Sequence, residues 1–194
     1  MAPLSQKAFD LIVNFEGMGQ PRQWPGGQSG VTIGYGYDLG YVTAAQFQSD
    51  WGDHLSTDVT DKLKTAIGLK GIPAKNKAAQ LTSVVINRDD ALAVFRDKTI
   101  PSYQAQTAKA FPGLESLPLD AQGALVSLVY NRGASMDGDR RREMRAIRDA
   151  VAQGNLQEIA NQLRAMKRLW QGQGMSGLLK RRDAEAALVE SCIN

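Results

Sequence analysis

Between Pro21 and Tyr41 the chain cannot be helical. Gly26, Gly27, Gly30, Gly34, Gly36 and Gly40 all fall in this stretch, and each costs a helix interior about 1 kcal/mol relative to alanine. Within it, Val31, Ile33, Tyr35 and Tyr37 alternate with Thr32, Gly34, Gly36 and Asp38. That is the period-two pattern of a half-buried ribbon. The apolar face is expected to meet a core. The other face carries only Thr32, Asp38 and bare backbone. Nearly everything outside this ribbon has helical periodicity, so the expected class is α+β and mostly helical. The order is helix, short ribbon, then many helices.

The helices follow from their apolar spacing. Leu4, Ala8, Leu11, Ile12 and Phe15 form one stripe, stopped by Gly17, Gly19 and Pro21. Thr43 with Gln46 reads as a capping box for a short helix reaching Trp51. Ser56 to Gly68 predicts a second short helix. Gly71 and Pro73 read as a loop, followed by a helix over 75–82. Asn87 caps a long helix toward Ala110, with Leu92, Phe95 and Ile100 inward, and Pro101 is placed to kink or split it. The segment from Leu119 to Asn131 is apolar nearly all round, which predicts a buried central helix closed by Gly133. Residues 139–152 and 155–170 read as amphipathic helices, and Ser176 as the cap of the last one. The expectation is a single domain of 194 residues.

Composition narrows the chemistry. One cysteine, Cys192, and one histidine, His54, are too few for a zinc site. No metal and no cofactor are expected. No apolar run reaches membrane-span length. Lys7 and Asp10 interrupt the first apolar pattern, which does not read as a secretory signal. The expectation is a monomer, made in the cytoplasm without its own leader or cut from a longer protein whose delivery signal lies elsewhere. Arginine is dense in the last third, from Arg132 to Arg182. Such a lobe can steer toward anionic surfaces, including wall polymers, lipid headgroups or nucleic acid, or it can be a solvated face with structural ion pairs. No nucleic-acid reader motif accompanies it, so nucleic acid is not the expected partner.

The chemistry-bearing residues cluster around the ribbon. Glu16 closes the first helix, where the dipole and free carbonyls disfavour negative charge. That mismatch suits a general acid and calls for a compensating cation. A second carboxylate, Asp38, and a hydroxyl, Thr32, arrive on backbone with almost no bulk between them. A chain-like, neutral substrate lying on bare backbone between two acid/base groups fits a sugar polymer. Six residues of straight strand span roughly 20 Å, whereas paired glycosidase carboxyls stand about 5 to 9.5 Å apart. The ribbon must therefore reverse between Thr32 and Asp38, and Gly34 and Gly36 permit it. Asp38 can equally be a turn or capping residue. Trp24 can stack on a sugar ring or cover the ribbon.

These residues carry a family resemblance. Phe15-Glu16-Gly17 followed by Thr32-Ile33-Gly34-Tyr35-Gly36 resembles the phage-type lysozymes, muramidases that cut peptidoglycan. Asn87-Arg88-Asp89-Asp90-Ala91 is similar to the start of their interlobe helix. Ala124 to Gly133 is similar to their buried central helix, and Gly177 to Glu185 to their C-terminal element. Typical members carry the second carboxylate ahead of the threonine, where this chain has Gly26 and Gly27. In the pesticin-like branch an aspartate lies six positions after the threonine, and here that position is Asp38 (38 − 32 = 6).

The resemblance implies a two-lobed domain, with an N-terminal lobe over about 1–87, an interlobe helix over about 88–110 and a C-terminal helical lobe over about 111–194, and it implies cleavage of the β-1,4 bond between N-acetylmuramic acid and N-acetylglucosamine. Glu16 would be the acid, Asp38 and Thr32 would handle the water, and Asn131, Tyr35 and Trp24 would contact substrate. An arginine from the C-terminal segment, Arg181 or Arg182, would pair with the acid. It also implies an endolysin, bacteriocin or antibacterial effector acting on the peptidoglycan layer of a target cell, with an immunity protein as partner if it is a toxin. The rival is a non-catalytic peptidoglycan-binding module on the same fold.

Overall fold

A computed structural model describes residues 2–193. The fold is α+β and mostly helical, 62 % helix with one two-stranded antiparallel sheet. The chain divides into two compact units. One comprises residues 1–15 and 101–194, the other 16–100. The sequence reading had assigned the first helix to the N-terminal lobe. It groups instead with the C-terminal residues, because its apolar stripe packs on helices far along the chain.

In the unit of residues 1–15 and 101–194, α1 (Gln6–Phe15) packs on α7 (Leu119–Arg132) and α10 (Ser176–Glu190). Every residue of α7 from Ala121 to Val129 is buried, and the two polar ones among them, Gln122 and Ser127, are hydrogen-bonded to the Leu117 carbonyl and to Glu185. Ala8 of α1 sits against Gly123, where a Cβ would lie 2.1 Å from the Ala8 Cβ. α8 (Arg142–Ala152) and α9 (Leu156–Ala165) complete the bundle, with Met144, Ile147, Ile159 and Leu163 fully buried. Asn155 caps α9, its side chain accepting from the Glu158 N–H at 3.0 Å. Ser176 does not cap α10; it is the first helical residue, behind Met175.

The unit of residues 16–100 holds β1 (Thr32–Ile33), β2 (Tyr37–Asp38), α2 (Ala44–Trp51), α3 (Thr57–Lys64), α4 (Gly71–Ala78) and α5 (Arg88–Val94). Thr43 caps α2 as expected, accepting from the Gln46 N–H. Gln46 does not reach back to close the box. Its amide reaches forward to Asp50, at 2.8 Å from both carboxylate oxygens, and Asp50 also accepts from the Tyr37 hydroxyl at 2.8 Å. A buried carboxylate outcompetes the solvated cap for that amide. Pro73 lies inside the first turn of α4 rather than in a loop, where its missing N–H has no helical partner to lose. Asn87 caps α5 through the Asp89 N–H at 2.7 Å.

After α5 comes a π-type turn, Phe95–Thr99, and then α6 (Ile100–Ala110). Pro101 has no N–H for an ordinary helical bond. The looser i→i+5 bonding just ahead of it, with the Ile100 N–H on the Phe95 carbonyl, is how the helix accommodates it.

Candidate active site

The hairpin folds back as its spacing requires. Thr32 pairs directly with Asp38, and Ile33 with Tyr37. Cross-strand partners share a face, so the hydroxyl and the carboxylate emerge side by side. The reversal rests on Gly34 and Gly36, at φ of 56° and 74°, values that side chains resist. A third segment lies against the hairpin. Gly19 and Gly34 exchange backbone hydrogen bonds of 2.7 and 3.0 Å. A Cβ at Gly19 would come within 3.3 Å of the Thr32 carbonyl oxygen, so glycine permits this close approach.

Glu16 stands three residues before Gly19, directly after the last residue of α1, and is partly buried. Three residues of chain reach at most about 11 Å. Glu16, Thr32 and Asp38 thus belong to one unit, with the acid on a short leash to the strand pair.

Asp38 has a second occupation. Both of its carboxylate oxygens accept from the Gly30 N–H at 3.0 Å, and Oδ1 also accepts from the Gly40 N–H at 2.8 Å. It caps the 3₁₀ turn Leu39–Tyr41. A Cβ on Gly30 would lie 2.2 Å from Asp38 Oδ1. The turn-capping alternative is therefore realised, and the carboxylate is held rigidly. A carboxylate offers about four acceptor positions, so Oδ2, with one backbone donor, keeps capacity for a water.

Beneath the ribbon, Tyr37 packs edge-on to Trp51 at 5.7 Å. Burial and the adjacent Asp50 push its phenol well above the usual range. Tyr35 was expected as a substrate contact. It is only 5 % exposed, with its ring 5.4 Å from that of Phe95, so it is a packing residue and offers no open ring face. Its place on the apolar side of the alternation decides this. Trp24 is half-buried and ties its own loop, the indole N–H donating to the Ser29 carbonyl at 3.0 Å.

A family model described as "Pesticin: Bacterial toxin homologue of phage lysozyme, C-term" matches residues 8–148. The chain belongs to this pesticin family. The match runs through the first helix, the hairpin and the central helix, and at family level it makes the chain a lysozyme-like bacterial toxin homologue. No individual curated protein matches it.

In this pesticin-family chain the two C-terminal arginines are buried, at 2 % and 0 % exposure. Arg182 Nη2 donates to Asn131 Oδ1 at 3.2 Å and to Glu185 at 2.8 Å, and its Nη1 donates to the Met166 sulfur at 3.8 Å. Asn131 is therefore an oriented side chain in the last turn of α7, while Gly133 supplies the cap. Arg181 bonds the Ser127 hydroxyl and carbonyl and Glu185, and its guanidinium lies 5.8 Å from the ring centre of Phe15. The sequence reading missed both the Glu185–Ser127 hydrogen bond of 2.6 Å and the Tyr37–Asp50–Gln46 set. Polar residues inside apolar stripes are their only sequence signal.

Proposed function

We propose that this chain is a peptidoglycan N-acetylmuramidase, hydrolysing the β-1,4 bond between N-acetylmuramic acid and N-acetylglucosamine. The observation that carries the reading is the Thr32–Asp38 pair on a glycine hairpin whose Gly34 is bonded to Gly19, three residues after Glu16, in a chain of the pesticin family. Glu16 gives its proton to the glycosidic oxygen as that bond breaks. A water held by the Thr32 hydroxyl and Asp38 Oδ2 adds at the anomeric carbon, and its proton passes to Asp38. The products are a reducing muramic acid end and a free 4-hydroxyl on the glucosamine. Asn131 and Trp24 are proposed substrate contacts.

The resemblance to phage-type lysozymes supports Arg181 or Arg182 as the cation that partners Glu16. The family's toxin description favours an antibacterial toxin that acts on the wall of a target cell, with an immunity protein guarding the producer.

Purified protein should release reducing ends from sacculi, and mass spectrometry of the muropeptides should show hydrolysed muramic acid termini. Glu16→Gln should lose at least about a hundredfold in rate, as expected when a general acid is removed, and should keep its melting temperature. An active Glu16→Gln would sink the assignment. A second reading, a non-catalytic wall-binding module, is favoured by the structural engagement of Asp38. Sacculus binding without reducing-end release would establish it.

A further inference from the structure

The hairpin that carries Thr32 and Asp38 has little of its own to hold it. Each strand is two residues long, Thr32–Ile33 against Tyr37–Asp38. An isolated hairpin is marginal in water, and a slip of one residue would turn Thr32 and Asp38 to the opposite face. Its register has to be fixed from behind.

Helix α2 lies there. Phe47, Asp50 and Trp51, at i, i+3 and i+4 on one helix face, all reach Tyr37, the residue before Asp38. The Phe47 and Trp51 rings stand 6.5 and 5.7 Å from the Tyr37 ring. Trp51 also lies under the reversal, where a Cβ at Gly34 would come within 3.2 Å of its ring. Asp50 adds direction. Its Oδ2 accepts from the Tyr37 hydroxyl at 2.8 Å, and the Gln46 amide, one turn earlier, holds both carboxylate oxygens at 2.8 Å. Ring contacts let a side chain slide, whereas a hydrogen bond of this length fixes where the hydroxyl points.

Stability alone would not select this pair. Asp50 is 6 % exposed, and its donors, a phenol and an amide, are neutral. Burying a carboxylate on neutral partners is costly. Replacing both partners of such a bond by apolar groups of the same shape is nearly neutral or stabilising. A phenylalanine ring over an aliphatic side chain would fill the space without a buried charge. Burial, then the bond to Asp50, also keeps the phenol protonated far above its usual range, so it stays a donor. A local rule broken directly behind a candidate site is the expected mark of a functional demand.

We infer that Asp50 is a positioning residue: it holds the Tyr37 hydroxyl and so fixes where Asp38 and Thr32 stand, and, resting on the muramidase reading, where the attacking water is held. Asp50 acts through Tyr37 and does not meet the glycan. A misplacement of about 1 Å can lower a rate about a hundredfold. The loss falls on kcat, because the hairpin aims the water rather than gripping the sugar.

The test uses the full chain, with kcat and KM on solubilised glycan strands, thermal melts, and amide hydrogen exchange at Gly30 and Gly40, whose N–H groups donate to Asp38. Tyr37→Phe and Asp50→Val each strand one buried partner. Each should melt lower and lose about ten- to a hundredfold in kcat at unchanged KM. Asp50→Asn keeps a carbonyl acceptor for the phenol and should recover most of the loss seen in Asp50→Val. The double variant Tyr37→Phe/Asp50→Val removes both polar groups. It should regain the wild-type melt but not kcat, and its Gly30 and Gly40 amides should exchange faster than in the wild type. A double variant that regains kcat along with its melt would overturn the inference, since the bond would then serve stability only. So would an Asp50→Asn protein as slow as Asp50→Val. Failure of the muramidase reading would show separately, as a wild-type protein that releases no reducing ends. Exchange at Gly30 and Gly40 still reads the positioning in that case, and wild-type exchange rates in the double variant would overturn it.

Discussion

At the scale of single residues, Asp38 serves two purposes that substitution can separate. Its carboxylate holds the Gly30 and Gly40 amides, and the proposed mechanism gives its remaining acceptor to a water. Asparagine keeps one carbonyl oxygen for the backbone but cannot take a proton. Asp38→Asn is therefore expected to cost about 1–2 kcal/mol in a urea melt while abolishing cleavage of sacculi. Asp38→Ala should lose both, because two part-buried amides would lose their acceptor. If Asp38→Asn cuts peptidoglycan at the wild-type rate, the residue is only a turn clamp. The glycine pattern had pointed to the reversal. It had not shown that Gly30 is required by the carboxylate itself, because that contact joins residues eight apart.

At the scale of elements, α1 is positioned by a bare spot on a buried helix. Gly123 gives α7 a gap that Ala8 fills. Gly123→Ala would ordinarily favour a helix, by about 1 kcal/mol. Here the added methyl would overlap Ala8, and overpacking of this kind costs about 1–3 kcal/mol. The variant should melt below the wild type despite its better helix propensity, and pairing it with Ala8→Gly should recover much of the loss. A Gly123→Ala protein more stable than wild type would show that α1 can move aside freely. Thr43, Asn87 and the closing Gly133 were legible as caps because capping is local. The forward turn of Gln46 and the π-type turn before Pro101 were not. Each depends on a partner or a bonding register that lies outside the local pattern.

For the whole molecule, the arginine-rich last third turns out to be mostly internal bookkeeping of charge. Glu143 shows how. Burial pushes its carboxyl up, but hydrogen bonds from Arg168 and Arg142 outweigh this and hold it below the usual 4.5. A depressed folded value adds stability above the unfolded pKa, and that stability is lost as pH falls through the folded one. Urea melts from pH 7 down to pH 3 should therefore show wild-type stability declining below about pH 4.5, as expected for a glutamate. Glu143→Gln should start about 1.5–3 kcal/mol lower at pH 7 and show a shallower acid decline. Parallel pH curves for the two proteins would contradict the assignment. Glu185, fully buried between Arg181 and Arg182, is the stricter case. Glu185→Gln leaves two buried cations unmatched and should cost about 3–5 kcal/mol, read in the same melts. Among the described residues no helix is long and apolar enough to cross a membrane.

The sequence by itself determined the helical α+β class, the hairpin between Thr32 and Asp38, the buried central helix and most caps. Glycine conformational freedom, apolar periodicity and capping all act over a few residues, so they are readable along the chain. The tertiary structure alone decided that α1 joins the C-terminal helices, that Tyr35 is packing rather than platform, and which arginines have acid partners. Those outcomes depend on what distant residues bring to the same point in space.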